Sequence, residues 1–143
     1  VIGATGHANG SKTKAGRCKI FEWKESQYDL LHTMVGQTKF EKLGFSVSMS
    51  DDGNIIACGG VTGRWGEDTS RESGIVRLWK RSAAREKVIW PEGDSSPWIV
   101  NDGSFGSAVS FSADGKLLFV GASMWSGSDG DSPGAVHIFD TNW

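Results

Sequence analysis

The sequence predicts an all-β fold made of repeated antiparallel units, and three observations predict it. The stretch from Phe105 to Ala122, FGSAVSFSADGKLLFVGA, aligns without a gap with an earlier one from Leu43 to Gly60, LGFSVSMSDDGNIIACGG. A glycine-led strand recurs as GRCKIFEWK from Gly16, GIVRLWK from Gly74 and GAVHIFD from Gly134. The composition is that of a turn-rich β protein, with 20 glycines and 7 tryptophans against 1 tyrosine, and a hydrophobic content of 38% is ample for a core.

Each aligned stretch reads as two strands around an Asp-Gly turn, Asp52-Gly53 in one and Asp114-Gly115 in the other, a dipeptide that supplies the positive φ a tight hairpin needs. In the first strand Phe45, Val47 and Met49 alternate with Ser46, Ser48 and Ser50, and the later stretch sets Val109 and Phe111 against Ala108, Ser110 and Ser112. This is period-two patterning with one face of small residues, as expected where another sheet lies close. The second strand, NIIACGG or KLLFVGA, is apolar on both sides and is expected to be fully buried. In the third, Cys18, Val76 and Val136 share one position, Ile20, Leu78 and Ile138 the next inward one, and Phe21, Trp79 and Phe139 form an aromatic row. A weaker fourth strand follows in YDLLHTMV from Tyr28 and EKVIWPE from Glu86.

Four antiparallel strands in about 60 residues match the size of one propeller blade plus one long loop. Phe105-Gly106 with VSFSADGKLLFVGA, and Leu43-Gly44 with VSMSDDGNIIACGG, resemble the FG-GAP repeat of β-propellers, and the GAVHIF-type strand that follows fits the same pattern. The resemblance covers almost the whole chain and implies a propeller scaffold, a fold frequent in surface and extracellular proteins. The chain departs from the pattern in three ways. Leu43 stands where the family has phenylalanine, no proline follows Gly60 or Ala122, and Val1-Ile2-Gly3-Ala4 keeps only the tail of a copy. The family's calcium-binding members carry a DxDxDG loop between the first two strands. Ser50-Asp51-Asp52-Gly53 and Ser112-Ala113-Asp114-Gly115 are too short and too poor in carboxylates for a calcium cage, so no cofactor is expected.

Aligning the copies predicts the end of one blade over residues 1–42, a complete blade over 43–102 and the first three strands of the next over 103–143. Propellers ordinarily close with four to eight blades. The chain is therefore expected to be a fragment of a larger propeller, completed by remaining blades or by another chain.

A net charge of −2 gives no electrostatic reason for nucleic acid or an anionic membrane as partner. No apolar run approaches a membrane span, and the start does not read as a signal peptide. Cys18 takes the place of Val76 and Val136, and Cys58 that of Val120 and Ile2. That puts the two in different blades on non-equivalent strands, so both are read as small buried hydrophobes and not as a disulfide. The sequon Asn9-Gly10-Ser11 falls in an expected exposed loop and is a glycosylation candidate in a secreted chain. With the resemblance, it points to an extracellular or cell-surface setting.

Function is expected in the long loops between second and third strands, residues 5–15, 61–73 and 123–133. These share one face with the connections 36–42 and 93–104. Trp65 and Trp125 lie at similar places in successive long loops, with His7 at the matching place in the first, and Arg64 and Trp98 belong to the same face. Such rings suit protein or glycan contact; the plainer reading is that each covers the top of its own blade. Asp129 and Asp131 in SGSDGDSPG are the only weak metal candidates, in a composition any solvated turn shares. Catalysis has no support. His7, His32 and His137 occupy unrelated places, no serine sits in a nucleophile elbow, and no phosphate-binding glycine loop leads a helix. The expected function is a non-enzymatic binding or structural module for protein-protein contact. The alternatives are an intracellular WD-repeat-like scaffold, whose period is shorter, or part of a propeller enzyme whose site lies in other blades.

Overall fold

The structure, a computed structural model, describes residues 1–62, 74–83, 85–89, 102–125 and 133–142, with the backbone alone at 83, 85, 102 and 125. The alternating segments form strands β1 (Ile2–Ala4), β2 (Arg17–Lys24), β3 (Gln27–Val35), β4 (Ser46–Met49), β5 (Ile55–Gly60), β6 (Ile75–Lys80), β7 (Arg85–Ile89), β8 (Asp102–Phe111), β9 (Leu117–Trp125) and β10 (Ala135–Asp140). A short 3-10 turn, Arg81–Ala83, joins β6 to β7. The strands make three antiparallel sheets in the orders β1-β2-β3, β4-β5-β6-β7 and β10-β9-β8. The protein is all-β, and among the described residues no helix is long and apolar enough to cross a membrane.

Two hairpins turn where Asp-Gly predicts. Gly53 N–H donates to Ser50 C=O at 2.8 Å and Gly115 N–H to Ser112 C=O at 2.9 Å. Only the glycines take positive φ, 70° at Gly53 and 68° at Gly115; Asp52 and Asp114 do not. The turn thus has four loop residues, not the two-residue mirror-image type the dipeptide suggested. A Cβ at Gly53 would meet nothing closer than 3.9 Å, so the constraint there is dihedral and not steric. Gly53→Val or Gly115→Val is expected to cost about 1–3 kcal/mol, because a β-branched residue disfavours this region. An unchanged melting temperature for Gly115→Val would contradict the turn assignment.

The middle sheet is covered on both faces. Towards the first sheet, Ile56, Cys58 and Trp79 pack with Cys18, Ile20, Met34 and Leu43. Towards the third, Ala57, Val76, Leu78 and Ile89 pack with Phe105, Leu118, Val120 and Ala122. Covering both faces is why IIACGG could be apolar throughout. The serine face of β4 meets the third sheet as its small residues predict. Ser46 Oγ donates to Gly106 C=O at 2.7 Å, and Ser48 Oγ accepts from Phe111 N–H at 3.3 Å.

Both junctions between sheets are made the same way. A Cβ at Gly3 would collide with the carbonyl of Gly44, and one at Gly59 with the carbonyl of Gly106. Isolated parallel bridges join Gly16 to Leu43 and Gly74 to Phe105. These are equivalent positions of the aligned segments, shifted by one sheet.

The outer faces of the stack differ. Cys18, Ile20, Val76 and Leu78 are at most 3% exposed, whereas their counterparts Val136 and Ile138 on β10 are 68% and 61% exposed. On the first sheet Ile2, aligned with buried Cys58 and Val120, is 61% exposed. Phe45, Val47 and Met49 also stand exposed.

The structure corrects the reading of the cysteines. Cys18 of β2 and Cys58 of β5 form a disulfide, with Cα atoms 6.6 Å apart and both residues fully buried. Their non-equivalence within the aligned units was no obstacle. Neighbouring sheets stack face to face, and the face of β2 that carries Cys18 and Ile20 lies against the face of β5 that carries Ile56 and Cys58. Two strand limits also differ from expectation. β9 continues through Trp125, and β8 begins at Asp102 because Asp102 and Gly103 pair with Trp125 and Met124.

Candidate functional site

The described loops over the first two sheets are two segments, 5–15 and 36–42, stitched into one surface. Within the first, Asn9 and Lys12 exchange backbone hydrogen bonds of 3.1 and 3.0 Å, and Gly16 N–H donates to His7 C=O at 2.9 Å. Between the two, Phe40 N–H donates to Thr13 C=O at 2.9 Å, Lys42 N–H to Lys14 C=O at 3.0 Å and Leu43 N–H to Ala15 C=O at 2.9 Å. Thr62, at the start of the next long loop, donates its hydroxyl to Phe40 C=O. The expectation that the second-to-third-strand loops and the sheet-to-sheet connections share a face thus holds for these segments.

Asn9 is half-buried, and its side-chain amide donates to Gly36 C=O at 3.0 Å, so the sequon residue ties the two segments together. His7 is half-buried in the same loop, with its backbone in two hydrogen bonds. Trp125 ends strand β9 and does not sit in a loop; its side chain is outside the description. Trp65, Arg64, Trp98, Asp129 and Asp131 all lie outside the described residues.

Beneath the surface is a buried ion pair that the sequence did not single out. Glu41 is 1% exposed, and its Oε1 accepts from Arg77 Nε at 3.2 Å. Its Oε2 accepts from the backbone N–H of Gln37 at 2.7 Å, the N–H of Thr38 at 3.0 Å and the Thr38 hydroxyl at 3.2 Å. One carboxylate therefore holds the connection to β6 of the middle sheet and satisfies two loop amides. Nothing in GQTKFEK marks Glu41 out, since its partner is 36 residues away. Above it Phe40 is 42% exposed, and Lys14, Phe40 and Lys42 all take positive φ, 51°, 60° and 54°. Such strain in non-glycine residues persists only where surrounding contacts over-determine the backbone.

The carboxylates of the Asp-Gly turns are occupied by their own turns. The Ser50 hydroxyl and then the Asn54 backbone and side-chain amides hold the Asp52 carboxyl down to about 2. The Ser112 hydroxyl and then the Lys116 N–H lower that of Asp114 in the same manner. Among the described residues no three histidine, cysteine or carboxylate side chains are grouped as metal ligands. No protein-family model and no curated protein matches this chain.

Proposed function

We propose that the chain is a non-enzymatic binding or structural module, a stretch of FG-GAP-type propeller whose blades are the three sheets, holding protein or glycan partners on its loop face. The observation that carries this reading is the repeated junction. Gly3 with Gly44 and Gly16 with Leu43 make the same contacts as Gly59 with Gly106 and Gly74 with Phe105, one sheet further on. A step repeated between sheets is what generates a propeller.

Further sheets of the same kind are its first partners, since Val136 and Ile138 present uncovered the positions that are buried at both internal junctions. The Cys18–Cys58 disulfide supports an extracellular or cell-surface setting, where such bonds persist. The occupied Asp52 and Asp114 carboxylates support binding without calcium in these turns.

The test is a double substitution. Trp65→Ala with Trp125→Ala is expected to weaken partner capture, by 2 kcal/mol or more if the rings are anchors, while leaving the melting temperature nearly unchanged and a chelator without effect. A melt well below the parent's would assign both rings to packing, and loss of capture on chelation would overturn the calcium-free reading.

A further inference from the structure

We propose that the surface formed by residues 5–15 and 36–42 is a binding site for a sulfated polysaccharide. The inference deepens the loop-face reading above, on which it rests, by naming a ligand class.

Three observations carry it. The first is charge. Lys12, Lys14, Lys39 and Lys42 are contributed by the two segments, whose backbones are joined at Thr13–Phe40, Lys14–Lys42 and Ala15–Leu43. The only acidic residue in either segment is Glu41, which is buried and committed to Arg77 and to the amides of Gln37 and Thr38. The joined segments therefore contribute four lysines, Lys14 and Lys39 exposed and Lys12 and Lys42 half-buried, in a protein whose net charge is −2. Among the described residues none of the four is in an ion pair.

The second observation is rigidity. The backbone bonds between the segments, the Asn9 amide on Gly36 C=O and the Glu41 carboxylate fix these lysines' backbone in one arrangement, including the left-handed Lys14, Phe40 and Lys42. Preorganised cations bind a polyanion with less ordering cost than a flexible lysine run.

The third is chemistry. Phe40, partly exposed among the lysines, offers an apolar ring face. Sugar rings have apolar C–H faces to lay on it while their sulfates meet the ammonium groups, a combination that a chain of acidic residues alone, such as poly-glutamate, lacks. The two segments run side by side, as an extended polymer spanning both would need.

The experiment is calorimetric titration of the 143-residue protein with a heparin decasaccharide at low salt. Binding is expected to weaken at least tenfold in the Lys12→Gln, Lys14→Gln, Lys39→Gln, Lys42→Gln variant, and to fall steeply as salt is raised. Phe40→Ser should weaken it further, and Lys24→Gln with Lys116→Gln, on other parts of the surface, should leave it unchanged. Melting curves confirm that each variant is folded. Absence of binding at low salt overturns the proposal, as does equal weakening in the Lys24, Lys116 control. Equal affinity for a poly-glutamate peptide of matched charge also overturns it, because charge alone would then be recognised. If heparin fails while the tryptophan double variant still lowers partner capture, only the ligand class is wrong and the loop-face reading stands.

Discussion

Reduction of the Cys18–Cys58 bond, or its replacement by Cys18→Ser with Cys58→Ser, is expected to lower stability by about 4 kcal/mol. The bond closes a loop of sequence separation 40, and chain-entropy loss in the unfolded state for a loop of this size is of that order. Both sulfurs are buried in the cluster that joins the first two sheets, so the hydroxyls of the double variant add a desolvation cost. The melting temperature should fall by roughly 10 °C or more. Alkylation of the unfolded, unreduced chain should label no thiol. Two labelled cysteines, or a double variant that melts with the parent, would show that the sheets are held without the bond.

Glu41→Ala is the second large effect, at about 3–5 kcal/mol. The substitution strands Arg77 in a site where it is only 7% exposed and removes the acceptor from the Gln37 and Thr38 amides. Glu41→Gln keeps an acceptor but loses the charge, and should cost less. Adding Arg77→Met to Glu41→Ala removes the stranded cation, so the double variant should be less destabilised than the sum of the singles. Urea unfolding of the parent, Glu41→Ala, Glu41→Gln, Arg77→Met and the double variant measures this directly. A Glu41→Ala midpoint equal to the parent's would mean that the connection 36–42 is held by its backbone bonds alone.

These two effects mark what the sequence could and could not reveal. Strand identity was legible because it is local. Alternation of Phe45, Val47 and Met49 with serines, the Asp-Gly turns and the glycine-led strands each depend on neighbours a few residues apart, and all appear where they were expected. Contacts between sheets were not legible. Cys18 with Cys58 and Glu41 with Arg77 are set by which face of one sheet meets which face of the next, and alignment of equivalent strands carries no record of that. The same limit applies at strand ends. Alignment of the copies assigns Trp125 to the loop 123–133, yet pairing with Asp102 extends β9 through it. In the loop cluster, motif and position single out His7 and Asn9 as candidates, but the contacts of Phe40 and Glu41 form only when segments 5–15 and 36–42 are brought side by side.

The central claim is that the three sheets are successive members of a stack whose outer faces are built to be covered. Sedimentation velocity of the 143-residue protein over a range of concentrations tests it most directly. Uncovered apolar faces such as that of Val136 and Ile138 favour association. The account predicts concentration-dependent self-association, reduced by Val136→Asp with Ile138→Asp and by Ile2→Asp without loss of thermal stability. A parent protein that sediments as a dispersed monomer at every concentration and melts cooperatively would contradict it.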